Sequence, residues 1–229
     1  FSNHIYIDEV SVLIKRIIIS TLIMMALLLM FIPSKGTISE VFRLTNEPNI
    51  ITKGNYGMSL TIDLSYADAK FIEWLNEVEA PYPLLMVDPE LLERSPTLVK
   101  MIKTKNIPIG LLGKSSEFYE ANPSQLKKDI STFNSIMKKP PLWFRTKDYV
   151  FSPDVIKVLW KEQINMLGAS KIQTDNSKLK LVHGDIVSIP YHQEERIKLQ
   201  NINQLIQNNS FQSIEETIFG YSLKTKSYP

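Results

Sequence analysis

The chain of 229 residues contains no cysteine. Disulfides, thiolate metal sites, cysteine nucleophiles and thioether lipid anchors are therefore excluded. Histidine is scarce, with three copies, and there are only eight glycines. No glycine-rich phosphate loop follows the first strand-forming run, which argues against a nucleotide-binding fold. No G-x-S-x-G elbow is present either, so a serine nucleophile of that kind has no place to sit. Charge of one sign is also lacking, because 26 Lys and Arg meet 24 Asp and Glu for a net charge of +2. Without a basic stripe and interleaved aromatics, nucleic acid is not an expected partner.

What is present begins with an uninterrupted apolar run over residues 17–32, IIISTLIMMALLLMFI, broken only by Ser20 and Thr21. As a helix it would rise roughly 24 Å, close to the ~30 Å hydrocarbon core of a bilayer. Lys15 and Arg16 precede it, which predicts a cytoplasmic N-terminus with the remainder of the chain outside. Cleavage as a signal peptide at Ser34-Lys35-Gly36 is the alternative, giving a secreted chain. The expected layout is a short cytoplasmic segment 1–16, an anchor or signal segment 17–33, a stalk or lead-in loop 34–57 and a folded domain 58–229.

From Met58 onward, short apolar runs alternate with longer amphipathic ones. MSLTIDLS predicts a strand. YADAKFIEWLNEV predicts a helix with Ala69, Ile72, Leu75 and Val78 on one face, capped by Ser65 with Asp68. YPLLMV is the next strand, followed by a long helix over DPELLERSPTLVKMIKTKN that Asp88 caps and Pro89 opens. IPIGLLG, PPLWFRT, NMLGASKI and GDIVSIPY predict further strands. NPSQLKKDISTFNSIMKK, SPDVIKVLWKEQI and EERIKLQNINQLIQNN predict helices, and a short strand is expected near FQSI. Such alternation predicts an α/β fold with a parallel sheet, whose chemistry gathers where the strands end. Asp63, Asp88, Leu112, Arg145 and Pro190-Tyr191-His192 all fall at those ends.

The order of these pieces resembles the polysaccharide deacetylase family, the NodB homology domain, over about residues 58–217. LTIDLS stands where that family has T-F-D-D-G. LERSPTLVKMIKTKNIPIGLLGKSS is similar to its P-E-L-V-K…G-H-E-I-G-N-H-T-x-S-H stretch, KKPPLWFRTKDY to its F-R-P-P-Y-G stretch, and GDIVSIPYH to G-D-I-I-L-L-H-D. The resemblance implies a distorted (β/α) barrel and N-deacetylation of chitin-like glycans or peptidoglycan. It also implies one Asp and two His holding a divalent metal that activates water, an Asp as general base and a His as general acid.

Carried over residue by residue, Asp63 matches the base and Arg145 the residue that orients it. The metal-ligand positions are occupied by Leu64, Leu112 and Ser116, and the general-acid position by Pro190. The expectation is therefore a pseudoenzyme without a bound metal or other cofactor, in which Asp63 and Arg145 persist as an ion pair. Its expected partners are cell-wall glycan or an envelope protein, with the membrane engaged through residues 17–32. The competing expectation is an active carbohydrate N-deacetylase with an altered site using Asp63, Arg145 and His192, two residues past the general-acid position. An oxygen-only metal site drawing on Asp88 and Asp148 is a further chemical option. Tyr66, Tyr149 and Tyr191 follow strand ends, where their rings could stack on sugars. His4 precedes the apolar run, and His183 falls in a turn before a strand.

Overall fold

A computed structural model describes residues 47–175, 179–193 and 197–220, together with 19–21 and 24. The chain divides into two units, Phe1–Phe42 and Arg43–Pro229, and the fold is that of the second. Apart from positions 19–21 and 24, the expected cytoplasmic segment 1–16 and anchor 17–33 lie outside the described residues, as do positions 34–46 of the lead-in. Among the described residues no helix is long and apolar enough to cross a membrane.

The strands are β1 (Ile50–Ile51), β2 (Met58–Leu64), β3 (Leu84–Val87), β4 (Ile109–Gly113), β5 (Trp143–Thr146), β6 (Asn165–Leu167), β7 (Lys171–Ile172) and β8 (Asp185–Ile189). They form one all-parallel sheet in the order β1-β6-β5-β4-β3-β2-β8-β7. The helices are α1 (Ala69–Glu77), α2 (Pro89–Arg94), α3 (Pro96–Lys105), α4 (Ser116–Ala121), α5 (Gln125–Met137), α6 (Pro153–Lys161), α7 (Leu199–Gln207) and α8 (Ile214–Phe219). This is the parallel α/β architecture that the alternation predicted.

The sheet's two edges are joined by irregular chain. NMLGASKI, expected as one strand, is two: β6 pairs with β5, and β7 pairs with β8. Gly168 sits at the crossing, where a Cβ would lie 2.8 Å from the Thr52 methyl. The lead-in is also more than a loop, because Ile50 and Ile51 pair with Met166 and Leu167 while Lys53 bridges Asp185.

Three other expectations are corrected. Pro96 divides the long helix after Asp88 in two, because it lacks the N–H that an uninterrupted helix would need there. Asp68 caps α1 instead of Ser65, accepting from the Phe71 amide at 2.8 Å, and the buried face is Phe71, Trp74 and Leu75. Near FQSI only Gln212 makes a bridge, to Ser59, and Ser213 instead opens α8 with a reciprocal capping box to Glu216.

Strand alternation sorts the side chains into two layers. On the outer face Leu60, Ile62, Leu64, Leu85, Val87, Leu111 and Phe144 form a core with the helices. On the inner face Leu84, Met86, Leu112, Trp143, Leu167 and Ile186 form a second apolar cluster with Ile214 of α8. Thr61, Asp63, Arg145 and Ser188, buried polar residues, share that inner face.

Candidate functional site

Three strands bring the inner-face polar residues together. Asp63 lies near the end of β2, Arg145 on β5 and Ser188 on β8, and all three are fully buried. Arg145 Nη1 donates to Asp63 Oδ1 at 2.7 Å, to Thr61 Oγ1 at 2.7 Å and to Ser188 Oγ at 2.8 Å. Its Nε donates to the Leu167 carbonyl at 3.0 Å and its Nη2 to the Gly168 carbonyl at 2.6 Å. Thr61 in turn donates to the Val187 carbonyl at 3.1 Å. A guanidinium this deep is tolerable because protein acceptors replace its water, and one of them is a carboxylate.

The second oxygen of Asp63 is also engaged. Oδ2 accepts from the Tyr149 hydroxyl at 2.8 Å and from Ser188 Oγ at 3.0 Å. Counting Arg145, Asp63 accepts three hydrogen bonds from the protein itself, of the roughly four a carboxylate can take. Burial pushes the Tyr149 phenol well above its ordinary range, and the Asp63 charge beside it adds to the shift. The hydroxyl therefore stays a donor.

A second charged cluster lies beside this one. Asp88 Oδ2 receives Lys147 Nζ at 2.7 Å and Lys114 Nζ at 3.2 Å, and Lys114 also meets Glu90 at 2.7 Å. Burial alone would raise the Asp88 carboxyl, but the two ammonium groups outweigh it and hold the carboxyl below its usual range. His192 comes close to the same region. Its ring is hydrogen-bonded to the main chain of Asp63, and burial together with the Lys147 charge keeps its pKa below the usual value. Its Nδ1 is buried without a partner.

The residues expected to form the site thus separate. Asp63, Arg145 and Tyr149 converge, and His192 abuts them. Tyr149 spends its hydroxyl on Asp63, where the sequence predicted a ring face for sugars. Tyr66 is 53% exposed. Tyr191 is corrected: it is buried, with its ring centroid 5.1 Å from that of Phe71, because the turn after β8 folds it into the helix layer. Asp148 does not gather with Asp63 either, since its oxygens accept from the Ser116 and Val150 amides. Lys147, Lys114 and Ser188 went unsingled in the sequence. The one hint was Ser188, a hydroxyl inside the apolar strand DIVSI.

The family's metal can be tested against these positions. Leu64 points to the outer face, away from Asp63, within the helix–sheet core. Leu112 belongs to the apolar inner cluster, and Ser116 Oγ already accepts from the Ser152 amide at 3.0 Å. Two of the three positions have no lone pair to give, so these residues do not fit the metal. Among the described residues, no group of three or more acids and histidines is placed to hold one.

No family model and no curated protein matches the sequence, so the likeness to known proteins is one of structure. The chain is similar to a family 4 carbohydrate esterase (CE4) pseudoenzyme from Bacillus anthracis, BA3943. The identity is 16% over 75% of this chain and 69% of that one, with a TM-score of 0.59. A mutant of BA3943 with restored enzymatic activity matches at 16% identity over 71% and 66%, with a TM-score of 0.57. A family 4 carbohydrate esterase from the same organism matches at 15% over 81% and 93%, also at 0.57. The chain therefore has the NodB-type fold of the polysaccharide deacetylases, a fold that serves active and inactive proteins alike.

Proposed function

We propose that this chain, built on the polysaccharide deacetylase fold, is a cell-envelope protein that works by binding and has no catalytic turnover of its own. In this reading it is exported and held at the membrane through residues 17–32, with the folded domain outside, or else released by signal cleavage. It engages cell-wall glycan or an envelope partner and needs no metal or other cofactor. The observation that carries the reading is the apolar filling of two of the three metal-ligand positions, where Leu64 and Leu112 have no lone pair to give. Asp63, the candidate base, is held by Arg145, Tyr149 and Ser188, which leaves it about one acceptor site and no metal-bound water to activate.

The second reading is an active N-deacetylase with an altered site, for which His192, lying beside Asp63, is the available proton carrier. In that case His192 would be the proton donor to the leaving amine, and Asp63 with Arg145 would act on the attacking water.

Cosedimentation of the full chain with purified peptidoglycan and with chitin tests the binding reading. Saturable retention that soluble N-acetylglucosamine oligomers compete away is expected. Failure to sediment with either polymer would remove glycan as the partner.

A further inference from the structure

Residues 147–152, which join β5 to α6, tie consecutive side chains to different elements across the end of the sheet where the strands finish. Lys147 reaches Asp88 beyond β3 at 2.7 Å. Asp148 accepts from the Ser116 amide that begins α4 at 3.0 Å. Tyr149 donates to Asp63 on β2 at 2.8 Å and lies 2.9 Å from Ser188 Oγ on β8. The Ser152 amide is held by Ser116 Oγ at 3.0 Å. The loop is a strap, and Tyr149 is its plug.

Two features set Tyr149 apart. Its φ is +60°, a left-handed backbone that a bulky side chain rarely adopts and that persists only where surrounding contacts hold it. Its ring also lies over the Arg145 guanidinium, 5.4 Å from centroid to carbon. A six-membered ring bearing one hydroxyl thus fills a recess whose wall is Arg145 and whose polar end is Asp63 with Ser188. The recess does not suit an anion. Its deepest group is a carboxylate, and the Arg145 donors already face five protein acceptors.

We propose that Tyr149 is the protein's own occupant of a hydroxyl-binding recess, and that the 147–152 loop is a strap which a neutral pyranose displaces. This rests on the glycan-binding reading and deepens it. The sugar hydroxyl takes the place of the phenol, donating to Asp63 Oδ2 and meeting Ser188 Oγ. The intact strap keeps most molecules closed, so the apparent affinity is lowered by the fraction that is open.

The test uses the full chain with Tyr149→Ala, which empties the recess, and Tyr149→Phe, which keeps the ring and loses the hydroxyl. Phenol is the probe of the recess. It is expected to raise the melting temperature of Tyr149→Ala by several degrees while leaving wild type and Tyr149→Phe unchanged. N-acetylglucosamine oligomers, titrated calorimetrically, are expected to bind Tyr149→Ala at least about fivefold tighter than wild type. If Tyr149→Ala does not fold, Lys147→Met cuts one tie of the strap, and the same gain in oligomer affinity is expected of it. A folded Tyr149→Ala indifferent to phenol overturns the recess. Phenol binding with unchanged or weaker oligomer affinity overturns the strap but leaves the glycan-binding reading intact. Oligomers binding to no form of the chain, with phenol still taken up by Tyr149→Ala, overturns the pyranose and the glycan-binding reading and leaves only the recess.

Discussion

Asp63 and Arg145 are both wholly buried and 2.7 Å apart, so removing one strands the other's charge in a dry interior. Arg145→Met alone is expected to cost about 3–5 kcal/mol in urea denaturation. The double variant Asp63→Asn with Arg145→Met is expected to cost clearly less than the two singles summed, because the charge that each single leaves behind is gone. Simple additivity would mean that the pair is not coupled. Tyr149 carries a pH signature at the same scale. Burial first, and the Asp63 charge second, raise its pKa above the ordinary phenol value of about 10. The folded state therefore holds a proton that the unfolded state releases, so its contribution is intact below pH 10 and fades as pH rises past it. Urea midpoints from pH 9 to about 11 should fall in wild type and fall less in Tyr149→Phe. Asp63 and Arg145 were legible in the sequence because strand-end residues of a parallel sheet converge. The inward turn of Tyr149 was not, because a left-handed backbone redirects a side chain in a way that spacing does not record.

Helix boundaries depend on residues whose effects can be separated from the site. Ser213 caps α8, accepting from the Glu216 amide at 3.1 Å while Glu216 bonds back to the Ser213 amide at 2.9 Å. Ser213→Ala should cost about 1 kcal/mol. Lys138 ends α5 at φ +61° with its amide bonded to the Asn134 carbonyl, so Lys138→Gly should gain about 0.5–1 kcal/mol by relieving a backbone that glycine adopts freely. Chemical denaturation checks both signs, and a stabilising Ser213→Ala or a destabilising Lys138→Gly would contradict this reading of the caps. Most elements were visible in the periodicity, and Leu126, Ile130, Phe133 and Met137 are buried along α5 as their spacing predicted. The failures have local causes. Ser95-Pro96 supplied a break inside an otherwise continuous helical pattern. The aromatic pair Phe71 and Trp74 drew the buried face of α1 away from Ile72. The strand over NMLGASKI changes partner at Gly168, and no propensity marks a change of partner.

For the molecule as a whole, the sheet's inner face carries a polar knot above an apolar cluster, with the two held by the same strands. The parallel α/β class was legible from alternation, and the deacetylase-like order of pieces from the motifs. The joining of the sheet's edges through β1, β6 and β7 was not, because it depends on residues two and four apart, Ile51 with Lys53 and Leu167 with Lys171, pairing with opposite ends of the sheet. That Leu64 faces outward follows from the strand's own alternation. Its neighbour Asp63 points inward, and a period of two puts successive residues on opposite faces. Replacing Leu64 by Asp would therefore place a carboxylate in the helix–sheet core, not beside Asp63. In the proposed function the site binds and does not turn over. The most direct measurement is deacetylation of N-acetylglucosamine oligomers and muropeptides by the full chain, with and without added zinc, cobalt or manganese, beside Asp63→Asn. No acetate release is expected under any metal, from a protein that is folded by circular dichroism. Metal-dependent release that disappears in Asp63→Asn would contradict it.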